Sequence, residues 1–174
     1  MTEAVALRPA SWEDVERTIR RVPEYADESR VQLSTETVAL DSLRPLCRLA
    51  RTYRLERVSK LIAACDAARL SPFSGVWFAG ESQSPRLIPP PIIEEHSGRL
   101  VIIDGLHRLL QAKYAGLRSV SVVVLHGDLA RLPADQLTWN EVSLTDHETP
   151  RAAKFRNLDD SVFRRIYEHI DQRS

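Results

Sequence analysis

The chain has 174 residues, and its formal charge is zero because 24 Lys and Arg residues balance 24 Asp and Glu residues. This balance makes DNA or RNA an unlikely main partner, since counterion release needs a surplus of clustered cations. No apolar run approaches the ~20 residues that cross a bilayer, and Met1–Ala4 lack the layout of a secretion signal. We therefore expect one cytoplasmic globular domain with a short appendage.

Helical spacing, strand alternation and turn residues divide the chain into elements. Ser11 is the predicted N-cap of the first helix. The predicted elements are a helix over 11–22, one or two strands over 31–43, a helix over 55–68, a short strand over 76–79, a loop over 80–85, a hairpin over 92–103, a helix over 109–114 that ends at Gly116, a strand over 120–125, a weakly helical stretch over 128–137, loop-like residues over 143–157 and a last helix over 162–170. Strands and helices alternate in the centre, which predicts an α/β fold.

The most informative stretch is the strand-to-helix turn Asp104-Gly105-Leu106-His107-Arg108. Gly105 would let the backbone approach a ligand closely, and the free N–H groups of the following helix favour an anion. His107 and Arg108 fall in the same first helical turn, so a phosphate there would receive an imidazole and a guanidinium. The alternative is a structural turn, in which Arg108 pairs with a surface carboxylate and His107 is a satisfied polar residue.

The surroundings of this turn resemble the ParB/sulfiredoxin superfamily over residues 38–125. Sulfiredoxins have a strand that ends in Arg-Pro-Leu, as Leu43-Arg44-Pro45-Leu46 does here, and a Gly-Cys-His-Arg turn that holds ATP phosphates. Free-serine kinases of the superfamily have Asp-Gly-His-His-Arg, which residues 104–108 match at four of five positions. The resemblance implies a small mixed sheet flanked by helices over 31–126, with a helical extension over 1–30 and another over 127–174.

The resemblance also implies a nucleotide site for ATP or ADP. In this family the turn holds the phosphates, which assigns Gly105, His107 and Arg108 to them. The opposite wall of the site would be lined by three further cations: Arg44, Arg57 and Lys60. Arg57 falls near the position at which sulfiredoxin has a nucleotide-binding Lys, counting from Arg44-Pro45.

Two departures from the family pattern limit the chemistry. Leu106 stands where sulfiredoxin has its attacking Cys, so the resemblance excludes reduction of a sulfinic acid. The His-Glu of the serine kinases is replaced after the first strand by Pro45-Leu46, so a catalytic base must come from elsewhere. The candidate bases are Glu56, Glu94, Glu95 and Asp104. Asp104 adjoins the turn and would also bind Mg²⁺, so Asp104 and His107 are the predicted catalytic residues.

These features predict an ATP- or ADP-dependent phosphotransferase or nucleotide hydrolase that acts on a small hydroxylated metabolite. The alternative is a non-catalytic nucleotide-sensing or partner-binding module related to ParB-type DNA-partition proteins, which the missing kinase Glu favours. DNA clamping ranks lower, because the 49 residues after Leu125 are too few for the usual DNA-reading module.

Other polar residues are assigned structural roles. Cys47 and Cys65 lack the spacing of a metal site, and we expect two buried thiols. The remaining histidines do not have metal-ligand spacing either. Five cations of the tail form a local basic cluster, which is either a solvated face or a cover for a polyphosphate: Arg151, Lys154, Arg156, Arg164 and Arg165.

Overall fold

The computed structural model describes residues 6–79 and 85–170. The strands are β1 (Ala6–Pro9), β2 (Val31–Ala39), β3 (Leu43–Arg44), β4 (Leu49–Arg51), β5 (Val76–Ala79), β6 (Arg86–Ile88), β7 (Ile92–His96), β8 (Arg99–Asp104), β9 (Ser119–Gly127) and β10 (Ser143–Thr145). The helices are α1 (Trp12–Ile19), α2 (Thr52–Ala67), α3 (Leu106–Tyr114), α4 (Arg151–Lys154) and α5 (Ile166–Ile170). Met1–Ala4 and most of the predicted loop over 80–85 lie outside the described residues.

The centre of the fold is a five-stranded mixed sheet with the order β2-β9-β7-β8-β3. β7 and β8 form an antiparallel hairpin, whereas β7 pairs with β9 and β3 pairs with β8 in parallel. The parallel pairing of β7 and β9 requires a crossover between β8 and β9, and α3 supplies it. This crossover starts at the turn that the sequence singled out.

Each face of this sheet carries its own hydrophobic core. On one face, Leu109 and Ala112 of α3 pack against Val122 and Val124 of β9. On the other face, Ile19 of α1 packs with the alternate residues of β9. β9 therefore reads as an almost continuous run of Val because both of its faces are buried.

Two smaller sheets complete the fold. β1, β5 and β6 form an antiparallel sheet, and β10 pairs with β4 in parallel. The β10–β4 pair connects the C-terminal part of the chain to the start of α2, and a bridge between Cys47 and Phe155 extends the same contact. The C-terminal part therefore packs against the central domain, with Ile166 in the second core.

Most predicted elements are confirmed, and the errors lie in the C-terminal third. The central α/β arrangement with a mixed sheet and flanking helices is present. Ser11 caps α1 by accepting a hydrogen bond from the Asp14 backbone. The predicted helix over 128–137 is wrong, because this stretch is irregular. The loop predicted over 143–157 contains β10 and α4, and the last helix is limited to α5.

Candidate functional site

The turn before α3 is shaped by Gly105. This residue has φ of 91°, in the left-handed region that glycine adopts readily. A Cβ at this position would lie 2.8 Å from Cβ and 2.9 Å from Cα of Pro91. Gly105 is thus required for packing against Pro91 as well as for the turn.

Arg108 is a structural residue in this fold. Its side chain is 6% exposed, and its guanidinium donates to the backbone carbonyls of Pro72, at 3.2 Å, and Pro89, at 2.7 Å. Burial lowers the pKa of Arg108, while the Asp104 carboxylate 4.0 Å away offsets part of that cost. Arg108 thus has a carboxylate partner, but the Asp104 side chain is 11% exposed and not at the surface. Binding of a phosphate at Arg108 stays a prediction.

His107 connects the first turn of α3 to the start of α2. Its Nε2 accepts a hydrogen bond of 3.1 Å from the backbone N–H of Arg51. On the other side of the helix pair, Gln111 donates to Ser59 Oγ at 2.7 Å and to the Leu55 carbonyl at 3.2 Å. These bonds hold the N-termini of α2 and α3 next to each other.

Both of these helix N-termini lack the usual anionic or side-chain caps within the described part of the chain. Arg51 and Gly105 are the two N-cap residues, and neither side chain caps its helix. Neither first turn contains an acidic residue. Two positive ends of helix dipoles therefore meet at His107, and the carboxylate that acts on His107 is that of Asp104, just before the Gly105 cap.

Three cations surround His107, and we call Arg51, Arg54 and Lys154 the cationic cluster. Burial and then the positive charge of Arg54 lower the pKa of His107 to about 4. Burial and then Arg51 lower the pKa of Lys154. His107 is therefore neutral near pH 7. Glu148 pairs with Arg51 and the Asp104 carboxylate acts on His107, so the three cations of the cluster are only partly neutralised.

Lys154 differs from the other cations of the tail. The four tail arginines each have a carboxylate partner: Arg151 with Asp160, Arg156 with Glu141, Arg164 with Glu94, and Arg165 with Asp160 and Glu168. Among the described residues, Lys154 has no ion-pair partner. The predicted basic cluster of the tail is thus mostly neutralised within the chain, and its remaining cation belongs to the cationic cluster.

Asp104 lies at the end of β8 beside this cluster. Its carboxylate raises the pKa of Tyr167, although the Tyr167 side chain is largely exposed. The Tyr167 ring in turn lies 5.9 Å from the guanidinium carbon of Arg54. α5 thus places an aromatic ring between the predicted metal ligand and the cationic cluster.

The three cations predicted for the opposite wall lie apart from this arrangement. Arg57 and Lys60 are exposed on α2, one and two helical turns beyond Arg54. Arg44 is half-buried at the end of β3, opposite Val101 of β8. Their contacts with a nucleotide stay predictions.

Two of the candidate bases are already engaged. Glu94 is fully buried and accepts hydrogen bonds from Tyr25 at 2.5 Å and from Arg164 at 2.9 Å. Glu95 accepts from His126, 3.0 Å away. Glu56 is exposed on α2. Asp104 is the candidate base that lies beside the cationic cluster.

Comparison with known families decides where this chain belongs. The family model described as "ParB CE domain" matches residues 14–139. The chain belongs to the ParB CE domain family. This match confirms the resemblance to the ParB/sulfiredoxin superfamily.

A solved Pnob8-like ParB-N domain is also similar, with 18% identity and a TM-score of 0.29 over 56% of this chain and 30% of the solved one. The chain thus spans about a third of that structure's length. No curated protein matches the chain.

The ParB CE match ends before the part of the chain that closes the site. Residue 139 precedes β10, α4 and α5. Lys154 and Tyr167 therefore come from beyond the matched region, whereas His107 and Arg54 lie within it. The described residues contain no helix that is long and apolar enough to span a bilayer.

The cysteines and the remaining histidines do not add a metal centre to this ParB CE domain. Cys47 and Cys65 are both free thiols, and burial raises the pKa of each. In the described ranges, no group of three or more His, Cys, Asp or Glu side chains is arranged to hold a metal ion.

An open cavity of about 370 Å³ lies at the opposite end of β8. Its lining includes Arg99, Gln136 and Arg156. Arg156 is paired with Glu141, and Asp135 contributes a further negative group to the lining. This cavity is less suited to an anion than the cationic cluster, where two helix N-termini add to the positive charge.

Proposed function

We propose that this ParB CE domain binds the phosphates of a nucleotide, ATP or ADP with Mg²⁺, at the cationic cluster. One observation carries the proposal: two uncapped helix N-termini meet at His107, and three cations from two distant parts of the chain surround them. Backbone N–H groups, guanidinium groups and an ammonium group are the donors that phosphate oxygens accept. The anion would relieve the mutual repulsion of the cations.

A magnesium ion fits this site only together with the phosphates. Asp104 offers a single carboxylate, and it already lies 4.0 Å from the Arg108 guanidinium. Mg²⁺ is commonly held by one or two carboxylates and by substrate phosphates. Asp104 would therefore supply one oxygen ligand, and the ion would neutralise charge on the nucleotide.

The chemistry we propose is phosphoryl transfer to a small hydroxylated metabolite, or hydrolysis of the nucleotide. Such reactions depend mainly on positioning and on charge stabilisation, both of which a cationic site provides. In this proposal Asp104 orients an attacking hydroxyl. His107 accepts a proton at Nε2 only if its bond from the Arg51 backbone is released, so its role here is to position the α2 terminus.

A second candidate function is non-catalytic nucleotide sensing or partner binding, as in ParB-type partition proteins. Two observations favour it: family membership, and the burial of Glu94 in an ion pair with Arg164. Membership of this family also makes DNA a partner to test. The neutralised tail arginines speak against a broad DNA-binding face.

A nucleotide panel monitored by thermal shift tests the proposal. ATP, ADP and other nucleotides are added with Mg²⁺ or with EDTA, and any stabilising nucleotide is then incubated for product analysis. Stabilisation with turnover indicates an enzyme, and stabilisation without turnover indicates a sensor. The proposal fails if no nucleotide raises the melting temperature, or if Arg54→Ala leaves the stabilisation unchanged. Duplex DNA is included in the same thermal-shift panel, and stabilisation by DNA would favour the partition-like alternative.

A further inference from the structure

The Arg51 side chain is covered by a carboxylate from the tail. Glu148 forms a two-armed ion pair with its guanidinium, in which Arg51 Nη2 lies 3.0 Å from Glu148 Oε2 and Arg51 Nη1 bonds Oε1. The Arg51 side chain is 11% exposed and the Glu148 side chain is 82% exposed. The guanidinium of Arg51, a well-buried cation of the proposed phosphate site, is thus bound by a carboxylate that is accessible to solvent.

The segment that carries Glu148 is anchored at both ends but loosely held in the middle. We call residues 143–154 the strap. At one end the Ser143 N–H donates to the Arg48 carbonyl at 2.8 Å, and at the other the Arg48 N–H donates to the Lys154 carbonyl at 2.8 Å. Between them, Glu148 makes the side-chain hydrogen bonds that join residues 146–150 to described residues outside the strap.

We propose that Glu148 is an internal mimic of a phosphate group, which the terminal phosphate of a nucleoside di- or triphosphate displaces from Arg51. Carboxylate and phosphate oxygens bind a guanidinium in the same two-armed geometry. Because the anchors of the strap do not involve Glu148, Lys154 stays in place when Glu148 leaves. The bound ligand then contacts Arg51, Arg54 and Lys154 together. This inference rests on the proposed function.

The exchange predicts that ligands with one phosphate and ligands with several respond differently to the loss of Glu148. A single phosphate at the α3 terminus and Arg54 would leave the Arg51–Glu148 pair intact. A second phosphate must compete with Glu148, so the apparent affinity for longer ligands is the intrinsic affinity multiplied by the fraction of molecules in which Glu148 has left Arg51. Removing the negative charge of Glu148 should therefore strengthen binding of diphosphates and leave binding of monophosphates almost unchanged.

The test compares Glu148→Gln with Asp160→Asn as a matched control, because Asp160 also holds exposed tail arginines but lies away from Arg51. AMP, ADP and inorganic pyrophosphate are titrated calorimetrically into the wild type and both variants. We expect Glu148→Gln to bind ADP and pyrophosphate about three- to tenfold more tightly, as the loss of one competing partly exposed ion pair predicts. AMP binding and the Asp160→Asn variant should match the wild type.

Hydrogen exchange supplies a second readout. ADP should speed amide exchange in residues 146–149 of the wild type, whereas in Glu148→Gln these amides should exchange rapidly with or without ligand. If the wild type binds ADP and Glu148→Gln binds it equally or more weakly, the proposal that phosphate displaces Glu148 is overturned, but the proposal that the domain binds nucleotides is not. If neither protein binds any of the three ligands, the proposed function fails and the inference fails with it.

Discussion

Two Arg–Glu pairs in this molecule have the same chemistry and opposite surroundings. Arg164 and Glu94 are 1% and 0% exposed, and further donors and carbonyls surround them. Arg51 and Glu148 form a similar pair, but the carboxylate is almost fully in solvent. A buried pair resists exchange because each lone charge would be left without water or partner. An exposed pair contributes little to stability and can exchange its carboxylate for another anion.

The Arg164–Glu94 pair therefore fixes the tail to the sheet. Glu94 is on β7, and Arg164 also donates to the carbonyls of Ala130, at 2.5 Å, and Arg131, at 2.7 Å. Burial alone would raise the pKa of Glu94, but His96 and Arg164 outweigh burial and lower it. The tail thus has one permanent anchor in the core and one exchangeable contact at the proposed site.

The largest effect should follow from breaking the buried pair. Arg164→Met leaves the Glu94 carboxylate buried without its main partner, which should lower the free energy of unfolding by about 3–5 kcal/mol. Tyr25→Phe removes a single donor to the same carboxylate and should cost about 1–3 kcal/mol. Urea denaturation measures both changes. Arg165→Ala is the exposed control and should change stability by less than about 1 kcal/mol. If Arg164→Met lowered the free energy of unfolding by as little as Arg165→Ala does, the Arg164–Glu94 pair would not be the anchor of the tail.

The next effect concerns His107, which lies beside the exchangeable pair. Its pKa is about 4 in the folded protein, against 6.5 in the unfolded chain. Between these values the unfolded chain binds a proton that the folded protein does not, so stability falls as pH is lowered from 6.5 to 4. The loss from this group reaches about 3 kcal/mol at most.

Urea denaturation across this pH range should therefore show a flatter dependence for His107→Gln than for the wild type. His147→Gln, at an exposed position of the strap, is the control and should keep the wild-type slope. If the free energy of unfolding depends on pH equally in the wild type and in His107→Gln, the pKa of His107 is not lowered by folding.

A smaller effect distinguishes two arginines on the same helix. Arg54 belongs to the cationic cluster, whereas Arg57 is exposed one turn further along α2. Loss of one charge-assisted hydrogen bond costs about 1.5–3 kcal/mol, so Arg54→Ala should weaken nucleotide binding about 10- to 100-fold. Arg57→Ala should bind within about twofold of the wild type. Isothermal titration calorimetry with the nucleotide that binds most tightly measures both affinities. A larger loss of affinity in Arg57→Ala than in Arg54→Ala would support the site wall predicted from the sequence.

The smallest effect concerns His126, which lies on the sheet away from the proposed site. Partial burial disfavours its protonated form, but bonds to Glu95 and Glu36 outweigh burial and raise its pKa above 6.5. Its contribution to stability is thus fully present below pH 6.5 and is lost as pH rises through the higher folded value. NMR titration of the imidazole measures this, with Glu36→Gln expected to lower the midpoint. A wild-type midpoint at or below 6.5 would contradict the network.

The parts of the fold that depend on local pattern could be predicted from the sequence. The cap at Ser11, the hairpin of β7 and β8 and the glycine turn before α3 all rest on residues close together in the chain. β4 and β10 could not be found in this way, because each has three residues and its partner lies far away in sequence. The helix predicted over 128–137 failed for a similar reason: backbone bonds to Pro45 and Arg156 hold this stretch in irregular form.

The sequence did not show that Arg54 lies at the start of the second helix. Apolar spacing located the second helix from Leu55 onward, but α2 begins at Thr52. Its first residues are polar, so periodicity could not show that Arg54 lies in the first turn. The pairing of β4 with β10 and the bond from Arg51 to His107 set that start. The role of Arg108 was also hidden, because its carbonyl partners at Pro72 and Pro89 are distant in sequence.

The most direct test of the central claim is a crystal structure of this domain with ADP and Mg²⁺. The account predicts the phosphates within hydrogen-bond distance of Arg54 and Lys154, at the N-termini of α2 and α3, with the β-phosphate at Arg51 in place of Glu148. Phosphates bound elsewhere, with the cationic cluster still holding only Glu148, would contradict it.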